Sequence, residues 1–124
     1  LEGVGQLLGN IGMIREHLNN NLHISGILLT MYDARTKLAS EVAEEVRGQF
    51  GQVVLNNVIP RSVKVSEAPG YGQTVIDYDP GSRGALAYFD AAKELAKRGD
   101  YQPHPTTGPI GVSPEVYAQL DEEE

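Results

Sequence analysis

Two short, almost wholly apolar runs on either side of one amphipathic helical pattern constrain this chain more than any other feature. His23 to Met31 (HISGILLTM) and Val53 to Ile59 (VVLNNVI) are apolar in near-continuous runs rather than in alternation. That is the pattern of strands buried on both faces, as in parallel sheets. Between them Leu38, Val42, Val46 and Phe50 recur at four-residue steps, with Glu41, Glu44, Glu45 and Arg47 on the other side. This spacing predicts a helix, and Gly51 is a natural stop for it. Strand, helix and strand make a βαβ unit, which closes right-handed. The fold class expected is therefore α/β.

The flanking segments extend this frame. Leu1, Val4, Leu7, Leu8, Ile11, Ile14 and Leu18 lie on one face of a first helix, which carries four glycines and ends at Asn19-Asn20-Asn21. Each glycine lowers intrinsic helix stability by roughly 1 kcal/mol, so packing has to sustain this helix. Residues 60–73 read as a loop, and Thr74 to Tyr78 (TVIDY) as a short edge strand. Asp79-Pro80-Gly81 is turn chemistry, and Ser82 is a suitable N-cap for a last helix that would bury Leu86, Phe89, Ala92 and Leu95. From Tyr101 the chain holds four prolines, two glycines and a closing Asp-Glu-Glu-Glu without periodicity. The expected organisation is a domain over 1–100 and an irregular acidic tail over 101–124.

Charge and composition exclude several chemistries. The net charge is −7, but five of the 17 acids stand in the tail, which has no Lys or Arg. The body is nearly balanced, and a local basic surface is compatible with it. With no cysteine, thiol catalysis, zinc–thiolate sites and disulfides are excluded. No apolar run is long enough to cross a membrane. The dipeptide Gly-Lys, required in a phosphate-binding P-loop, does not occur. Gly3-Val4-Gly5-Gln6-Leu7-Leu8-Gly9 is one residue too long for a dinucleotide fingerprint and has no strand before it. His17, His23 and His104 lack metal-ligand spacing, and the pairs Glu44-Glu45 and Asp77/Asp79 read as solvated faces or turn residues. No nucleophile–base–orienter set can be assembled.

Three motifs in order carry a family resemblance. They are Ile27-Leu28-Leu29-Thr30-Met31-Tyr32-Asp33-Ala34-Arg35-Thr36, then Val58-Ile59-Pro60-Arg61-Ser62-Val63-Lys64-Val65-Ser66-Glu67-Ala68-Pro69, then Tyr78-Asp79-Pro80-Gly81-Ser82-Arg83-Gly84-Ala85. Over about residues 1–98 the chain resembles the C-terminal half of the ParA/Soj chromosome-partitioning ATPases, of the deviant-Walker, MinD-like class. The resemblance implies the C-terminal part of a Rossmann-like P-loop NTPase sheet, mostly parallel strands with flanking helices. In such proteins the glycine-rich lysine loop, the switches and the Walker B acid lie upstream of the part matched here. The intact protein would then use ATP and Mg2+, while this chain alone would bind neither tightly and hydrolyse nothing.

By the same resemblance Met31 and Pro60 match positions flanking the adenine, as expected for ligands at the carboxyl ends of strands. Arg35 and Lys64 match contacts to DNA bound without sequence preference, and Arg61 and Arg83 are neighbouring candidates. The plainer reading of Arg61 and Arg83 is pairing with Asp77, Asp79 or Glu67. Many relatives have a basic residue at the place of Gly81, a departure expected either to weaken DNA binding or to shift the burden to Arg83. The implied partners are nucleoid DNA, a ParB-type centromere-binding protein and a second copy of the chain, in the bacterial cytoplasm. A membrane is not implied, because MinD-like relatives end in a basic amphipathic helix and this chain ends in acids. The alternative is a non-catalytic oligomerising or partner-binding module.

Overall fold

The computed structural model describes residues 2–98. Among these residues five α-helices follow in order: α1 (Glu2–His17), α2 (Lys37–Phe50), α3 (Val63–Glu67), α4 (Val75–Tyr78) and α5 (Arg83–Arg98). Short 3-10 turns cover Gly51–Val53 and Ala68–Tyr71. The chain divides into two compact units, with the boundary between Ser25 and Gly26. The tail assigned to 101–124, and His104 within it, lie outside the described residues.

In the first unit α1 forms through all four of its glycines, and Leu8 is its buried residue. Beyond the helix, the Arg15 guanidinium donates to the Leu22 carbonyl at 2.7 Å, which ties down the asparagine-rich segment.

The second unit holds the two apolar runs, and here the expectation of two continuous strands is corrected. They meet in only two parallel bridges, Ile27 with Val54 and Tyr32 with Pro60. The pairing direction is that of a crossover through α2, but the register slips. From one bridge to the other the first segment advances five residues and the second advances six, so one residue is extra, as in a β-bulge. Regular pairing would send an amide of the Asn56-Asn57 stretch to Leu29, whereas the Leu29 carbonyl accepts from Ile59 at 2.9 Å. The amides of Asn56 and Asn57 donate instead to the Glu94 carboxylate of α5, at 2.7 and 2.8 Å. Val53, read as the second strand's first residue, lies in the 3-10 turn. Arg47, expected to point outward, reaches back to the carbonyls of Leu55 and Asn56. Charged side chains from two helices thus satisfy the backbone groups that a ladder would have used.

Two further expectations are corrected. Thr74–Tyr78 is not an edge strand: Val75–Tyr78 form α4, and the Thr74 side chain accepts from the Asp77 amide at 3.2 Å. This capping overrides the β-propensity of Val75 and Ile76, and the pattern Thr-x-x-Asp was its available signal. Residues 60–73 are not a featureless loop, since α3 and the second 3-10 turn occupy Val63–Tyr71.

The cap expected at Ser82 forms, with the Ala85 amide donating to it at 3.2 Å, and the structure adds one at Thr36, which accepts from the Ala39 amide at 3.3 Å. Helix α2 buries Val46 and Phe50 as its spacing predicts. Helix α5 does not bury the expected stripe, because Leu86, Phe89 and Leu95 are 55%, 50% and 42% exposed. Its buried residues are Gly84, Ala85 and Ala91. The reason is close approach: a Cβ built on Gly84 would lie 2.5 Å from Val65 Cγ2 and 3.0 Å from Ser62 Oγ. Small residues face the core where backbones come nearest. Leu55, Ile59 and Ala91 form one buried cluster and Ala68, Val75 and Ala85 another, with Tyr88 packing on both.

Candidate functional site

The lower bridge fixes the geometry of the rim. Tyr32 donates to the Ile59 carbonyl at 2.9 Å, and Arg61 donates back to the Tyr32 carbonyl at 3.0 Å. Pro60 lacks an N–H and sits where the ladder makes no demand for one. The two segments therefore end side by side, which brings Met31 and Pro60 to the same end of the pair. Met31 has φ of 55°, a left-handed conformation uncommon for a residue with a side chain, and is 74% exposed. It lines, with Leu29, Tyr32, Leu38, Val42 and Arg61, an apolar cleft of about 360 Å³ between this rim and α2. Leu38 is 70% exposed at its edge. An apolar wall of this kind suits a flat base. Among the described residues no cluster of His, Cys, Asp and Glu is placed to hold a metal ion. The cleft, with Met31 in its lining and Pro60 outside it, thus offers apolar surface that fits the base of a nucleotide.

The four basic positions are placed as follows. Arg35 follows a tight turn and forms a fork with Asp33, Nε to one carboxylate oxygen at 2.9 Å and Nη2 to the other at 3.0 Å. The Arg35 amide adds a third bond to Asp33 at 3.1 Å. The Arg35 side-chain bonds, then its amide, lower the Asp33 carboxyl to about 2, and Asp33 in turn raises Arg35. Lys64 on α3 lies 3.8 Å from the Glu67 carboxylate. Arg61 and Arg83 are exposed, and among the described residues neither makes an ion pair. The pairing considered for Arg61 and Arg83 is thus not found, whereas Arg35 and Lys64 do have acidic partners. Arg61 adds to the positive field on Asp33. Gly84, next to Arg83, approaches Ser62 and Val65, the neighbours of Arg61 and Lys64. The starts of α3 and α5 therefore bring three of the four positions to one region.

Sequence reasoning missed one cluster beside this region. Tyr78 donates its hydroxyl to Glu67 at 2.7 Å, and Tyr71 stacks on Tyr78 with ring centroids 5.2 Å apart and planes 17° from parallel. The bond to Glu67, then burial, pushes the Tyr78 hydroxyl up to about 12.

A parallel pair crossed by a helix, with an apolar cleft at its carboxyl rim, is the ligand-binding arrangement of α/β nucleotide-binding domains. Residues 3–75 match the family model of the CobQ/CobB/MinD/ParA nucleotide binding domain. The chain belongs to that family, and within it to the ParA/Soj type. It is 52% identical over 99 residues to the sporulation initiation inhibitor protein Soj of Bacillus subtilis, covering 80% of this chain and 39% of that protein. It is 47% identical over 98 residues to the chromosome partitioning protein ParA of Caulobacter vibrioides, 79% of this chain and 37% of that one. With the chromosome-partitioning ATPase Soj of Thermus thermophilus it shares 46% over 98 residues, 79% of this chain and 39% of the relative. The chain thus spans about two fifths of the length of the curated relatives it matches.

Proposed function

We propose that the chain is the C-terminal portion of a ParA-type ATPase that segregates chromosomes or plasmids, with the hydrolysis machinery in a preceding half. The observation that carries this reading is the rim: the family match runs through it, and it sets Met31, Pro60 and Arg61 at the end of one parallel pair. Met31 and Pro60 pack on the adenine of ATP, and the triphosphate and Mg2+ are held by the other half. Bound ATP supplies the chemistry of phosphoryl transfer, while the residues here position its base and exclude water from one face. Arg35, Arg61, Lys64 and Arg83 contact duplex phosphates without sequence preference, and a homodimer doubles that number. In this reading the protein works in the bacterial cytoplasm on the nucleoid, and a ParB-type partner stimulates release.

A mostly parallel sheet is part of the same proposal. Among the described residues the peptide groups of Leu28 and Thr30 take part in none of the inter-segment hydrogen bonds. The Ile27–Tyr32 segment thereby offers an edge to a further parallel strand, while Glu94 and Arg47 occupy backbone groups of the other segment. The test is ATP hydrolysis and duplex binding by this chain alone and by the chain with its upstream half. The reading expects turnover only with the upstream half; robust turnover by residues 1–124 alone would overturn it.

The partner-binding alternative draws on the exposed Leu86, Phe89 and Leu95 of α5. A defined oligomer that is indifferent to ATP and does not bind duplex DNA would favour it.

A further inference from the structure

We propose that Tyr71 is a stacking platform for an unpaired nucleobase, a ligand distinct from the duplex phosphates assigned to the basic side chains. The base comes from single-stranded DNA or from a free nucleotide, which share the flat π-face that Tyr71 would meet.

Tyr71 is 70% exposed yet firmly backed. Tyr78 lies against it at 5.2 Å and is itself fixed on three sides. Its hydroxyl is bonded to Glu67, Lys64 Nζ stands 5.7 Å from its ring centroid, and its body packs on the buried cluster of Ala68, Val75 and Ala85. Because that hydroxyl stays protonated up to about 12, the bond to Glu67 holds across the neutral range. The backbone under Tyr71 is equally defined. Gly72 adopts φ of 66° and closes the 3-10 turn with its amide bonded to Ala68 and Pro69.

This arrangement has a physical consequence. A large exposed ring normally loses rotamer freedom when a ligand orders it, which weakens binding. Here the ring is ordered beforehand, so a stacked base gains dispersion and π-contact at small entropic cost. There is also room for it, since the Tyr71 side is open to solvent, 70% exposed. The negative charge of Glu67 is engaged by the Tyr78 hydroxyl and the Lys64 ammonium. Phosphates flanking the base then meet Lys64 and the neighbouring starts of α3 and α5. Aromatic platforms beside basic positions bind single strands with little base preference, because every base offers a π-face.

The test is fluorescence anisotropy of the full chain, with Tyr71→Ala and Tyr71→Phe variants, on a labelled oligodeoxythymidine of about 12 nucleotides. That length lies within the footprint of aromatic-lined single-strand sites. A duplex of equal length and labelled AMP are measured in parallel. Tyr71→Ala should weaken oligomer binding roughly 5- to 100-fold, Tyr71→Phe should retain it, and duplex affinity should hold in both. Tyr71-dependent binding of AMP as tight as that of the oligomer would identify the free nucleotide as the source. Tyr71-dependent binding confined to the oligomer would identify the single strand. Equal affinity of Tyr71→Ala and the parent for both probes would overturn the proposal while leaving duplex binding standing. Loss of duplex binding with Tyr71-dependent oligomer binding intact would sink the duplex reading alone.

Discussion

Helices α2 and α5 look alike in sequence and differ in what they bury. Each carries an apolar residue every three or four positions, and each begins after a hydroxyl cap. In α2 the spacing names the buried residues correctly at its C-terminal end, where Val46 and Phe50 are 5% and 4% exposed. In α5 the bulky stripe faces outward, and the core side is built from Gly84, Ala85 and Ala91 with Tyr88 at its edge. Periodicity locates a helix and its apolar face. Which face meets the core depends on how closely the next backbone approaches, and close approach favours the smallest residues.

The largest way to break this comparison is Phe50→Ala, which empties a filled site in the α2 core. A loss of roughly 3–5 kcal/mol in chemical unfolding is expected. Gly84→Ala tests the opposite case, overpacking at the α3–α5 contact, where the new methyl would lie 2.5 Å from Val65 Cγ2. It should cost about 1–3 kcal/mol, and a second change, Val65→Ala, should recover part of that. Unchanged stability of Gly84→Ala would mean that α5 does not sit so close.

A third effect is smaller and depends on pH. Glu94 is about one-sixth exposed, and burial raises its carboxyl. The Asn57 and Asn56 amides, the Asn57 side chain and Arg98 outweigh burial, so its net shift is downward from 4.5. A carboxyl lowered in the folded state takes up its proton more readily when unfolded. Its contribution is therefore complete above about pH 4.5 and is lost as pH falls through the lower folded value. Glu94→Gln should cost about 1.5–3 kcal/mol at neutral pH, the range for hydrogen bonds to a charged group. It should also flatten the acid limb of the stability curve; an identical acid limb would remove Glu94 from the account. The smallest effect is expected from Phe89→Ser on the outer face of α5, within about 0.5 kcal/mol for this chain.

How far the sequence could be read follows from the range of each interaction. The cap at Ser82 and the stop at Gly51 rest on signals a few residues long, the parallel crossover rests on the order of three patterned segments, and all were legible. The Thr74–Asp77 cap was equally local, but the β-branched Val75 and Ile76 masked it. The bulge was not legible, because Glu94 stands 37 positions beyond Asn57 and nothing nearby shows where those amides turn. Of the candidate site, the three motifs picked out Met31, Pro60 and the basic positions. They could not show that Asp33 and Glu67 already engage Arg35 and Lys64, while Arg61 and Arg83 make no ion pair among the described residues. The Tyr71–Tyr78 stack joins residues seven apart across a turn whose left-handed Gly72 no periodicity reveals.

The central claim is that this chain brings basic side chains to duplex DNA at the rim of a ParA-type nucleotide site. Its most direct test is duplex affinity across a salt series for the protein and for a variant with Arg35, Arg61, Lys64 and Arg83 all changed to Gln. The account predicts weaker binding and a log–log salt slope shallower by roughly 0.9 for each phosphate contact removed. An unchanged affinity and slope would contradict it.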